Sequence, residues 1–116
     1  MNHKQIIGKW GEQAAEEYLI QKGFSVLERN FRTPYGEIDI IALFEGITFF
    51  VEVKTRTTHS FGLPEEGLTR RKLSHMKACA EHYAEKHELE TWQCDAIAVE
   101  GNPGSTPHIE HFENVT

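Results

Sequence analysis

Two acidic residues and a lysine fall on two short apolar stretches: Asp39 in Gly36-Glu37-Ile38-Asp39-Ile40-Ile41-Ala42, and Glu52 with Lys54 in Phe49-Phe50-Val51-Glu52-Val53-Lys54. Side chains alternate across a strand, so Glu52 and Lys54 share one face while Phe49, Val51 and Val53 fill the other. Glu45-Gly46, midway between the stretches, reads as a two-residue hairpin turn. That register sets Asp39 opposite Glu52 and Glu37 opposite Lys54. Opposed Cβ atoms sit roughly 4.5–5.5 Å apart, where two carboxylates repel by about 3 kcal/mol at an effective dielectric of 20. A hard divalent cation offsets that repulsion: Mg²⁺ or Mn²⁺ takes carboxylate, carbonyl and water oxygens and keeps positions open for a substrate phosphate. Lys54 beside the pair suits an anionic substrate. The plainer alternative is a surface hairpin of solvated charges, or a Glu37–Lys54 cross-strand ion pair worth a fraction of a kcal/mol.

The elements that must position these groups are legible on either side. Ile6, Ile7, Trp10, Ala14, Tyr18 and Leu19 recur at helical spacing over residues 3–22, with Gly23 as the stop. Phe24 to Asn30 reads as a strand, and Thr33-Pro34-Tyr35-Gly36 as the turn into the hairpin. Thr57 to Gly67, with Gly62, Pro64 and Gly67, reads as a mobile loop at the hairpin's open end, able to close over a substrate. Thr69 caps a second helix whose Leu73, Met76, Ala80, Tyr83 and Ala84 form a buried stripe ending near Glu88. Trp92 to Val99 and His108 to Phe112 read as strands joined by the turn-rich Gly101 to Pro107. The order α, β, β, β, α, β, plus a further strand, predicts one α/β domain over residues 1–116, a sheet with helices packed on it.

No apolar run approaches the length of a membrane span and no secretory signal is present, which predicts a soluble, cytoplasmic protein without membrane contact. Cys79 and Cys94 lack CxxC spacing and read as reduced, structural thiols. The net charge of −6 argues against indiscriminate nucleic-acid coating. The charges are uneven, however: residues 29–77 carry 8 basic side chains against 6 acidic ones, and beyond 77 Lys86 alone faces 8 acids. Three of the central acids are Glu37, Asp39 and Glu52, so a metal-loaded site would lie in a positive surround able to hold phosphates.

Asp39 on the second strand and Glu52-Val53-Lys54 on the third, within an αβββαβ order, resemble the restriction-endonuclease-like PD-(D/E)xK nuclease core. More closely, Gly8, Gly11-Glu12, Ala15, Tyr18-Leu19, Gly23, Asn30, Gly36-Glu37-Ile38-Asp39 and Phe50-Val51-Glu52-Val53-Lys54 with Arg56 resemble the YraN-type family over nearly the whole chain. That family is similar to archaeal Holliday junction resolvases, so the resemblance implies a Mg²⁺- or Mn²⁺-dependent endonuclease acting on branched or distorted DNA. By the same resemblance Asp39 and Glu52 would ligate the metal, with the Val53 carbonyl completing the shell. Lys54 would orient the attacking water or steady the phosphate, and Glu12 would add an acid from the first helix. Lys72 matches a basic position of the family and Arg56 follows the triplet; with Arg32 and Arg70 they are the candidates for nucleic-acid contact. Ile38 stands where the wider motif often has proline, and Gln93-Cys94-Asp95 replaces the family's Arg-Phe-Asp run, which removes a positive charge and an aromatic and so argues against nucleic-acid contact from this strand; Asp95 reads as structural rather than catalytic.

His75, Cys79 and His82 recur on one helical face, and His108 and His111 add imidazoles, but the spacings fit no zinc pattern and predict no zinc. Lys54 and the lack of an aromatic sugar platform set aside a glycosidase, which also uses paired acids. The main alternative is a catalytically inactive module on the same fold that binds nucleic acid or a protein partner. Symmetric cleavage of a four-way junction would call for two active sites, hence a possible homodimer.

Overall fold

Asn2 opens the first helix with a reciprocal cap: its side chain accepts from the Gln5 N–H (2.8 Å), and the Gln5 side chain accepts from the Asn2 N–H (3.1 Å). Two amides that a helix start leaves unpaired are thereby satisfied. This helix, α1 (His3–Gln21), is followed by β1 (Ser25–Thr33), β2 (Gly36–Phe44), β3 (Ile47–Arg56), α2 (Arg70–Lys86), β4 (Trp92–Glu100) and β5 (His108–Phe112). The computed structural model describes residues 1–57 and 68–116, so the loop expected over Thr57–Gly67 lies, beyond Thr57, outside the described residues. The second helix begins at its expected cap, the Thr69 hydroxyl accepting from the Lys72 N–H (3.2 Å).

The five strands form one sheet in the order β1-β2-β3-β4-β5. Among the described strands only β3 and β4 are parallel, and α2 lies in the crossover that a parallel pair requires. The helices cover opposite faces. Ala14, Ala15 and Leu19 of α1 pack with Ile40, Phe49, Val51, Ile97 and Val99, whereas Met76, Cys79, Ala80 and Tyr83 of α2 pack with Ile41, Phe50 and Cys94. The central strands are therefore buried on both sides, which explains the unbroken apolar run through Phe49-Phe50-Val51. Among the described residues no helix is long and apolar enough to cross a membrane.

Glu45 (φ +49°) and Gly46 (φ +80°) make the expected tight turn, and the register runs from Phe44 opposite Ile47 to Ile40 opposite Val51. There it stops. Ile38 packs on the α2 face and Ile40 on the α1 face although they are two residues apart, so strand alternation breaks at Asp39. On the facing strand Arg29 pairs with Ile40 and Phe31 with Ile38, and the residue between them, Asn30, adopts φ +51°. The expectation that Asp39–Glu52 and Glu37–Lys54 are ladder partners is thus corrected: β2 parts from β3, and Glu37 turns to Arg32 on β1 (3.7 Å). A second irregularity, between Val26 and Glu28, bends β1 along its outer edge.

Asp95 is wholly buried and holds the far end together as a structural residue. It accepts from Gln93 Nε2 (2.8 Å), from the Asn114 N–H (2.9 Å) and from His111 Nε2 (2.7 Å), while His111 Nδ1 meets the Tyr18 hydroxyl at 3.1 Å. Both oxygens of this carboxylate are hydrogen-bonded, as a buried charge demands.

Candidate active site

Where β2 and β3 part, a side chain takes over from the ladder: the Val53 N–H donates to Asp39 Oδ2 at 2.8 Å. The parted strands open a cavity of about 670 Å³. Asp39, Glu52, Val53, Lys54 and Arg56 line it from the sheet, Glu12 from α1 and Lys72 from α2. These seven sequence-derived candidates come together in one place. Arg32 and Arg70 do not line it: Arg32 is exposed on β1, beside Glu37, and Arg70 borders a separate groove with Leu73, Lys77 and Val115.

Glu12 reaches the cavity because the residue before it is glycine. A Cβ on Gly11 would collide with the Thr55 hydroxyl and methyl and lie 2.8 Å from Thr55 Cβ, so glycine lets α1 lie directly on β3. Glu12 is steadied by Arg29 (3.9 Å). With its amide nitrogen turned to the acids, Asn30 donates to Glu12 Oε1 and Glu37 Oε1, 3.1 Å each. The residue opposite the break in alternation thereby ties together the outer carboxylates.

The electrostatics follow from crowding in a half-closed space. Burial, and then the neighbouring Glu52 carboxylate, push Asp39 up to about 7 against the opposing pull of the Val53 N–H. Burial also raises Glu52, while Lys72, a hydrogen bond with Asp39, and Lys54 draw it down. Burial lowers Lys54, and the nearby Lys72 and Arg56 lower it further. Near neutral pH the two acids therefore compete for one proton unless a cation takes its place.

The donors at this pair are all oxygen. Among the described residues no group of three or more His, Cys, Asp and Glu side chains gathers to hold an ion, so a cation here would rest on the two carboxylates, backbone and water. That donor set fits Mg²⁺ or Mn²⁺, which keep several waters, and not zinc. The helical His and Cys residues are engaged separately. Cys79 Sγ lies 3.2 Å from the Thr33 hydroxyl, and His82 packs edge-on to Tyr35.

Sequence reasoning missed His3, Lys4 and Gly8, which line the cavity from the start of α1. The available signal was spacing: positions 4, 8 and 12 lie on one helical face, so placing Glu12 at the site brings Lys4 with it.

A five-stranded mixed sheet flanked by two helices, with an acid from the first helix and an Asp, Glu and Lys where the second and third strands part, defines an α/β protein with an αβββαβ core. The chain belongs to the uncharacterised protein family UPF0102, whose model matches residues 11–99 and so spans Glu12 through the end of β4's buried run. A UPF0102 protein of Trichlorobacter lovleyi is 43% identical over 113 residues, 95% of this chain and 89% of the relative. One from Dehalococcoides mccartyi is 42% identical over 115 residues, 97% and 93% of the two chains. One from Beutenbergia cavernae is 36% identical over 117 residues, 99% of each.

Proposed function

We propose that the protein is a divalent-metal-dependent endonuclease that hydrolyses phosphodiester bonds in branched or distorted DNA. The observation that carries this reading is the convergence of Asp39, Glu52 and Lys54 on one cavity, with Glu12 and Lys72 facing them from the two helices. Asp39 and Glu52 would hold Mg²⁺ or Mn²⁺, with the Val53 carbonyl as a further donor. The bound metal would supply Lewis-acid stabilisation of the charge that develops on the phosphate. Lys54 orients the water whose oxygen adds to phosphorus as the bond to the leaving sugar oxygen breaks, and it adds positive charge where negative charge grows. Lys72, Arg56 and Lys4 hold flanking phosphates around the cavity mouth. The buried free thiols Cys79 and Cys94 suit a reducing cytoplasm. On a four-way junction two copies would act together, one on each strand.

The test is gel-resolved cleavage of labelled four-way, flapped, single-stranded and duplex DNA with Mg²⁺ or Mn²⁺, comparing the native protein with Glu52→Gln. Metal-dependent products that vanish in the variant are expected. DNA retention without products would overturn the catalytic reading in favour of a binding module.

A further inference from the structure

A second, smaller cavity of about 200 Å³ opens on the α2 side of the same acids, sharing Glu52 and Lys72 with the larger one. Its remaining walls include Tyr35 and Gly36 from the β1–β2 turn and His75, Met76 and Cys79 from α2. We infer that this cavity receives one unpaired nucleobase of the DNA strand being cut, next to the scissile phosphate, with Lys72 bridging the two spaces. The inference rests on the nuclease reading above and names what that site selects: a strand with a base free to leave the stack.

Three observations favour a base as the occupant. The first is size. The volume falls below the ~300–1,000 Å³ of pockets that enclose drug-sized ligands, and suits a single planar ring system. The second is the wall chemistry. An aromatic ring and a thioether offer flat, polarisable surfaces for a π-face, and His75 and Glu37 add polar groups for a base edge. The third is the way Tyr35 is presented. The residue is 57% exposed, yet its backbone is fixed. The Thr33 hydroxyl accepts from the Tyr35 N–H (3.0 Å) and lies 2.9 Å from the Gly36 carbonyl and 3.2 Å from Cys79 Sγ, which ties the turn to α2. Gly36 makes this possible at φ +133°, a conformation side chains rarely adopt. An exposed aromatic on a fixed turn beside a lysine and the candidate catalytic acids is a stacking platform in the sense of single-strand binders. It also gives a physical reason for preferring branched or distorted DNA, since an unstacked base costs least where pairing is already broken.

The experiment uses the full chain in chelator, with DNA carrying 2-aminopurine either unpaired at a junction or flap or paired within a duplex. Total binding is followed in parallel by anisotropy. Quenching of the unpaired probe is expected, lost in Tyr35→Ala and kept in Tyr35→Phe. The preference for unpaired over paired DNA should fall about tenfold in Tyr35→Ala, the scale of losing one stacked base. DNA binding with neither quenching nor sensitivity to Tyr35 would overturn this inference alone. Absence of any DNA binding would overturn it together with the reading it rests on.

Discussion

Asp39 Oδ2 accepts the Val53 N–H at 2.8 Å across the point where β2 and β3 part. One oxygen of this carboxylate is thus committed to holding the strand beside the Glu52-Val53-Lys54 triplet, in a residue that also lines the cavity beside Glu52. The same side chain serves position and chemistry, and these roles separate by substitution. Asp39→Asn keeps an acceptor for Val53 and should fold normally while losing metal-dependent cleavage. Asp39→Ala leaves a partly buried N–H unpartnered and should cost a further 1–3 kcal/mol or so in denaturant unfolding.

The pH dependence of stability in chelator has a definite sign. Asp39 binds its proton more tightly in the folded chain, at about 7, than in the unfolded chain, near 4. Stability from this group is complete below the unfolded value and is lost as pH rises through about 7. The melting temperature should therefore fall between pH ~4 and ~7, and Asp39→Asn should flatten that slope. Mg²⁺ or Mn²⁺ should restore stability chiefly at the higher pH, where the carboxylates no longer hold the competing proton.

Lys54 and Lys72 should separate by readout. Lys54→Ala removes the cation beside the reacting phosphate and is expected to lower the cleavage rate about 10²–10³-fold with little change in DNA affinity. Lys72→Ala, on the exposed start of α2, should mainly weaken binding and reduce the slope of log affinity against log salt by about one. Salt titrations of the two variants check this.

Gly11 is where helix packing and site assembly meet. Gly11→Ala should destabilise the fold by about 1–3 kcal/mol through collision with Thr55, and should lower activity by displacing Glu12. Combining it with Thr55→Ala should recover part of both losses, a coupling that a double-mutant cycle of thermal unfolding measures directly.

Much of this arrangement is legible in the sequence because local rules agree with the final structure. Glu45-Gly46 sets the hairpin register, Thr69 marks the start of α2, and the triplet's alternation puts Glu52 and Lys54 together. What is not legible is the break at Asp39. It depends on Asn30 adopting φ +51° on the neighbouring strand, and strict alternation over Ile38-Asp39-Ile40 gives no hint of it. The placement of Arg32 and Arg70 was equally hidden. Both belong to the basic stretch of the chain, but membership of that stretch does not say which residues turn toward the cavity. The order of the strands required the whole sheet.

The irregularity between Val26 and Glu28 bears on how copies of this protein meet. β1 is an outer strand of the sheet, and a straight outer strand with free amides invites a neighbour to continue the ladder. Here the extra residue kinks the border, and Glu28, Arg29 and Arg32 line it with charge of both signs. Lateral growth of the sheet past β1 is thereby discouraged.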